Sequence, residues 1–268
     1  MKILFITDLH GRSDKLLKAA RIAEESSDAL LIGGDIHPIG FTVKPSDQYR
    51  FFVEEVAQPL QDVGVKVFAI MGNVDWKSNL ERYREFHPSP VHWLNLEDGR
   101  IGDVHLAGMS YVPITPFSIK DWDAFDGDAP LQGDSVLRGL VSSANGLEMR
   151  EVGEGTPNIA DVLKEMGWKM EGRKWILVSH CPPYGTSLDV ASGGVHVGSR
   201  ALKAFLSTPQ APFLSLHGHI HESPQITGKI CERVGRTLSC NPGDSRDRLR
   251  ALLLVLEGEE IVYRFFEG

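Results

Sequence analysis

The chain has 268 residues, 42% of them apolar and 24% charged, which is enough for a substantial buried core. Its formal charge of −8 argues against broad nucleic-acid binding, which needs a basic surface. No apolar run approaches the length of a membrane span, and the N-terminal run Ile3 to Ile6 stops at Thr7-Asp8, too soon for a signal peptide.

Lys2 to Thr7 reads as a buried strand ending in Asp8-Leu9-His10-Gly11. A helix follows, with Ser13 as its cap and Leu16, Leu17, Ala20 and Ala23 on one face. Asp28 to Ile32 is a second strand, ending in Gly33-Gly34-Asp35-Ile36-His37. Ser46 caps the next predicted helix, whose apolar face is Tyr49, Phe52, Val53, Val56 and Leu60, with Pro59 kinking or shortening it. Val65 to Met71 is a third strand and ends in Gly72-Asn73-Val74-Asp75, before a short helix from Ser78 to Phe86. Strand alternating with helix in this way predicts an α/β domain with a largely parallel sheet, whose strand ends line the ligand crevice.

Val91 to Gly108 reads as strands in an antiparallel edge or meander. Tyr111 to Gly155 loses clear periodicity and is expected to be a functional insertion. Within it, residues 121–128 faintly resemble a calcium loop, but the spacing is wrong for an EF-hand. Thr156-Pro157 marks the start of a helix with Ile159, Val162, Leu163 and Met166 on its apolar face, and Gly167 is its natural stop. Lys174 to Ser179 is a strand ending in His180-Cys181-Pro182-Pro183. The glycine-rich loop Ala191 to Gly198 leads to a helix, and Pro212 to Leu216 is a strand running into His217-Gly218-His219-Ile220-His221. Thr237 to Cys240 ends in Asn241-Pro242-Gly243-Asp244, and residues 251–266 read as a closing hairpin. With no internal repeat or linker, residues 1–268 are expected to form one domain carrying an insertion at about 111–155. Cys181, Cys231 and Cys240 show no Cys-x-x-Cys pairing, so no disulfide framework is expected and a reducing, cytoplasmic compartment fits.

Five strands therefore end in groups able to hold a metal: Asp8 and His10, Asp35, Asn73, His180, then His219 and His221. Each alone has an ordinary reading as a turn residue or a surface histidine. Together, with one shared carboxylate, they supply enough donors for two ions with four protein bonds each. Two divalent ions about 3.5–4 Å apart suit hydrolysis. Their repulsion is on the order of 15–20 kcal/mol at an effective dielectric of about 20, so bridging anions are needed between them. The mixed nitrogen and oxygen set suits Mn, Fe, Zn, Ni or Co better than Ca.

In this order, Asp-x-His, Gly-Asp, Gly-Asn, a lone His and Gly-His-x-His resemble the calcineurin-like metallophosphoesterases, over roughly Met1 to Asp244 with the insertion left out. The resemblance implies a four-layer α/β/β/α sandwich of mixed sheets and a dinuclear centre, with manganese favoured. It implies that Asp8, His10 and His221 bind one ion, that Asn73, His180 and His219 bind the other, and that Asp35 bridges. The implied reaction is hydrolysis of a small phosphoester, a diester or an activated monoester, by in-line attack of activated water.

One motif departs from the family. Where the family has Gly-Asn-His-Asp/Glu, this chain has Gly72-Asn73-Val74-Asp75. The missing histidine contacts the phosphate and is proposed to protonate the leaving group, which valine cannot do. His37 and His196 are the candidates to substitute as general acid or phosphate contact. Arg200, Arg246 and Arg248 could steer a phosphate, although solvated arginine is the commoner role, and Cys181 has no evident base. His217 reads as a strand-end residue, and His87, His92 and His105 as structural. The alternative to an enzyme is a binding module that reuses the fold without catalysis. The sequence leaves oligomeric state and substrate open.

Overall fold

Three short strands, Lys2–Ile6, Ala29–Ile32 and Lys66–Ala69, pair in parallel and are buried on both faces apart from the first residues of the outer two. Such strands must be covered on both sides, which accounts for their almost uninterrupted apolar sequence. The structure is a computed structural model and describes residues 1–40, 42–95, 98–132, 134–258 and 260–268. Leu96 and Glu97 of the expected meander, Gly133 of the expected insertion and Glu259 of the expected closing turn lie outside the described residues, as does Phe41. Val91–Trp93 adds a fourth parallel strand to this sheet. On the other edge Arg250–Glu257 pairs antiparallel with Lys2–Ile6, and Glu260–Glu267 completes the predicted hairpin.

A second six-stranded sheet is built from Cys231–Val234, Thr237–Cys240, Leu214–Leu216, Trp175–Ser179, Val104–Met109 and Asp98–Ile101, in that spatial order. Its four middle strands are parallel and its two outer strands antiparallel to their neighbours. The stretch expected to be a single edge or meander thus divides between two sheets. Cys231–Val234 has no strand signal in the sequence reading. Its register sets Cys231 opposite Cys240, and the two form a disulfide. This corrects the expectation that no cysteines pair: nine residues of separation look distant in the sequence, yet a tight hairpin makes them cross-strand neighbours.

The two sheets share a core in which Ile3, Phe5, Leu31 and Phe68 join Leu106, Ile176, Val178 and Leu216. The alternate side chains face outward. Leu4, Ile6, Leu30 and Ile32 cluster with Leu16 and Ala20 of the helix Ser13–Ser26 and with Phe52 and Val56. On the far side Trp175 and Leu177 cluster with Leu163 and Met166 of the helix Ile159–Lys169 and with Leu202 and Phe205 of the helix Arg200–Phe205. Period-two burial along the strands therefore produces four layers, helix on sheet on sheet on helix.

The helices begin and bend at other residues than expected. Ser13 lies inside its helix and Arg12 is the cap residue. Leu17 is 36% exposed while Ala19 takes its place in the core. The expected kink before Pro59 is a π-helical segment, Phe52–Ala57, between Pro45–Phe51 and Gln58–Leu60. The helix expected from Thr156 starts at Ile159, where the Asn158 side chain accepts from the Ala160 amide. Gly167 does not end that helix. A Cβ there would come 3.0 Å from the Phe205 ring, so glycine serves the close packing of the two outer helices.

The insertion is folded. Arg138–Ser143 and Gly146–Glu151 form an antiparallel hairpin, and Val112–Pro113 pairs with Asp123–Ala124. Tyr111 and Trp122 are buried and pack edge to face. The acidic run that resembled a calcium loop is occupied by the protein's own donors. Asp121 accepts from the Lys77 and Ser142 amides, Asp123 from Lys120, and Asp126 from the Arg200 and Ala201 amides at a helix start.

Candidate metal centre

The loops after the two strands Lys2–Ile6 and Ala29–Ile32 are laced together by backbone hydrogen bonds: Asp8 to Gly34, His10 to Asp35 and Gly11 to Ile36, at 2.8–3.0 Å. The second sheet's loops join them, with the Gly218 amide donating to the His180 carbonyl and the His219 amide to the Asp8 carboxylate. Asp8, His10, Asp35 and His219 all have positive φ, between 48° and 65°. Left-handed backbone at a residue with a side chain is costly, and four instances at one locus mark a surface held in shape by what surrounds it. Two glycines permit the approach. A Cβ at Gly72 would overlap Asp35, and one at Gly218 would overlap Thr7 and Asp8.

All seven sequence candidates for metal binding converge here. Donor atoms of Asp8, His10, Asp35 and His221 lie within 4.8 Å of one another. His221 Nε2 is 3.2 Å from Asp8 Oδ1 and 3.1 Å from His10 Nε2. Beside this group, His180 Nε2 is 3.1 Å from Asn73 Oδ1 and 3.3 Å from Asp35 Oδ2, and the His219 ring centroid is 5.2 Å from that of His180. Asp35 thus lies between two donor sets. Its Oδ1 accepts from the Val74 amide at 3.0 Å, which fixes the carboxylate's orientation.

The electrostatics favour a cation at this place. Burial alone would raise the Asp8 and Asp35 carboxyls, but the neighbouring histidines outweigh it. His221 and His180 hold Asp8 well below the usual carboxylate range, and His180 and His10 hold Asp35 at about 2. Burial likewise opposes the charging of His180 and His221, yet Asp35 and Asp8 raise them to about 9. Burial keeps His219 neutral, lowered to about 3. Without an ion, protons on His180 and His221 neutralise the carboxylates, and a divalent cation would do the same. His180 Nδ1 donates to the Gly33 carbonyl at 2.8 Å, so Nε2 is the nitrogen that faces the carboxylates. His10 Nδ1 is buried with no hydrogen-bond partner among the described residues. Donor type, charge and spacing therefore fit divalent metal ions.

The two candidates for a replacement acid lie elsewhere. His37 is fully buried, stacked on Tyr83, with Nδ1 bonded to Asp75 and Nε2 enclosed in the core, so the geometry gives it no route to a substrate. His196 sits on the Val195–His196 strand, held by Asp189 at 2.8 Å, and does not line the cleft over the metal residues. His217 is a core residue: Nδ1 donates to the Ser179 carbonyl, Nε2 faces Ser215 Oγ, and burial lowers it to about 4.

The cleft has a volume of about 910 Å³. Metal-candidate side chains form its floor, and Val74 lines it together with Trp76 and Phe117. Lys15, not among the residues singled out from the sequence, is 3% exposed and lines the cleft, paired with Asp244 at 2.7 Å. Its place two positions after Ser13 carried no signal of this. Arg246 lines the cleft, whereas Arg200 stacks on Tyr184 outside it.

A family profile described as calcineurin-like phosphoesterase matches residues 1–223. An uncharacterized protein of Methanocaldococcus jannaschii is 26% identical over 248 residues, covering 90% of this chain and 88% of its own. Among solved structures, the protein TT1561 of Thermus thermophilus aligns with a TM-score of 0.60 at 18% identity, covering 98% of this chain and 97% of that one. A sulfate thiohydrolase of Thermus thermophilus aligns at 0.54 and 17% identity, with 99% of this chain matching 56% of that one. At these identities the two structures show a shared fold.

Proposed function

The chain belongs to the calcineurin-like phosphoesterase family, and we propose on that footing that it hydrolyses small phosphodiesters or activated phosphomonoesters at a centre of two divalent metal ions. Asp8, His10 and His221 would hold one ion, and Asn73, His180 and His219 the other. Asp35 would bridge them, and manganese is the favoured metal. The observation that carries this reading is the convergence of seven donor side chains from five loops, five of them lining the cleft floor and Asp8 and His180 buried directly beneath, with Asp35 between the two sets.

When bound, the ions supply Lewis acidity and lower the pKa of water from about 15.7 towards roughly 7. The chain's own residues do the rest. The strained loops hold the donors in place before the ions arrive, so little reorganisation accompanies binding. Arg246, on the cleft wall, has no ion-pair partner among the described residues and is placed to meet a phosphate oxygen. Val74 offers no proton to the departing oxygen, so the reaction suits leaving groups stable as anions.

The test is turnover of bis-p-nitrophenyl phosphate by protein loaded with Mn²⁺, together with metal analysis of the protein. Two equivalents of metal and turnover abolished in Asp35→Asn and His180→Ala are expected. Absence of turnover with every first-row divalent ion would remove the catalytic reading and leave the binding module.

A further inference from the structure

The cleft has two chemically distinct parts. Its floor is the metal-candidate cluster, suited to a phosphate. One side of its wall is largely apolar: Ile39, Val74, Phe117, Ile119, Leu140 and Leu147 all line it, with Ser118 among them, while Lys15, Asp244 and Arg246 line the cleft as polar groups. They come from three places in the sequence, the loop after Ala29–Ile32, the Asn73 loop and the insertion. Ile39 and Phe117 are each 53% exposed. Large apolar side chains left facing water beside a charged floor are characteristic of a site that buries an apolar group.

The wall also argues against a sugar. A ribose or glycerol arm brings several hydroxyls that need hydrogen-bond partners once desolvated; these six side chains offer none, and Ser118 supplies the one hydroxyl that lines the cleft among the described residues. Arg246 lines the same cleft and complements an anionic head, whereas Arg12, also on the cleft, is paired with Asp14. The arrangement is amphiphilic, with cationic and metal-binding groups at one end and hydrocarbon at the other.

We propose that the cleft selects phosphoesters bearing a bulky apolar organic group, aryl or medium-length alkyl, seated against Ile39 and Phe117 with the phosphate on the metal floor. This rests on the phosphoesterase reading for the phosphate and adds the class of the organic arm. It assigns the insertion, through Phe117, Ile119, Leu140 and Leu147, the role of choosing substrate.

Binding rather than turnover provides the test. Calorimetric affinities of Mn²⁺-loaded protein are compared for methylphosphonate, phenylphosphonate, hexylphosphonate and thymidine 5′-monophosphate. Phenyl- or hexylphosphonate is expected to bind about tenfold or more tighter than methylphosphonate. Which of the two gains more tells an aryl source from an alkyl, lipid-like one. In Phe117→Ala and in Ile39→Ser, both at exposed positions that leave the core intact, the ratio should fall to within about threefold. Equal wild-type affinity for the methyl and both apolar ligands, tightest binding of the nucleotide, or a ratio that survives both substitutions would overturn the proposal. Apolar preference in a protein without turnover would sink the hydrolase reading and leave this inference standing. Turnover without apolar preference would do the reverse.

Discussion

His37 Nδ1 donates to Asp75 Oδ1 at 2.7 Å, and both side chains are fully buried. Asp75 also accepts from the amides of Ile36, His37 and Gly72, at 3.3, 3.1 and 2.8 Å. Its carbonyl accepts from Trp122 Nε1 in the insertion. One carboxylate thus ties the loop carrying Asp35 to the loop carrying Asn73. In the family pattern the acid at this place orients the histidine before it. Here valine precedes it, and a histidine from the neighbouring loop occupies the acid instead.

The first prediction concerns that pair. Asp75→Ala leaves three amides and an imidazole without their acceptor and should cost about 3–5 kcal/mol of stability. The divalent-induced thermal shift should shrink too, because the donors of both loops lose their fixed spacing. Chemical denaturation measures the first, and thermal melts with and without Mn²⁺ the second. A loss below about 1 kcal/mol with the shift unchanged would show that the loops hold each other without the carboxylate.

Val74 sets the second. With no acid on the leaving-group side, alkyl esters should be slower than aryl esters by at least the ~10²–10⁴-fold that general-acid catalysis supplies. Val74→His is expected to recover less than about tenfold of this, because His37 already occupies the acid that would orient the new imidazole. Rates across a series of leaving groups of graded pKa decide it. A nearly flat dependence would mean that another group donates the proton.

Metal affinity should rise with pH. In the metal-free protein His180 and His221 stand at about 9, so both carry protons at neutral pH. Metal uptake must release those protons, and affinity climbs until pH passes about 9. The sign for the apo fold is opposite. The contribution of these imidazoliums is complete below the ordinary histidine value near 6.5 and is lost as pH rises through about 9. Titration calorimetry in buffers of different ionisation enthalpy counts the released protons. Binding at pH 7 without proton release would contradict this charge balance.

The insertion has its own buried ion pair, Lys120 with Asp123 at 2.7 Å, both side chains inaccessible. Lys120→Met strands the Asp123 carboxylate and should cost about 3–5 kcal/mol. Replacing both partners with apolar residues should recover most of that loss. Thermal unfolding of the single and double variants tests it, and equal losses in both would show that packing rather than charge dominates there.

The sequence by itself determined the metal-capable residues and the strands that present them, though not how those strands divide between two sheets. Apolar runs ending in Asp8, Asp35, Asn73, His180 and His219 are short-range signals: a strand's burial and the polar turn after it lie within about ten residues of each other. The tertiary structure decided what depends on distant neighbours. That His37 points into the core and not the cleft follows from Asp75 and Tyr83, 38 and 46 positions away. The buried Lys15–Asp244 pair likewise joins side chains 229 positions apart, while the Cys231–Cys240 disulfide and the insertion's hairpin follow from strand registers that the sequence pattern does not reveal. Periodicity reports which face of an element is buried, but a hydrogen-bond partner is chosen by where the other elements lie, and no local pattern encodes that.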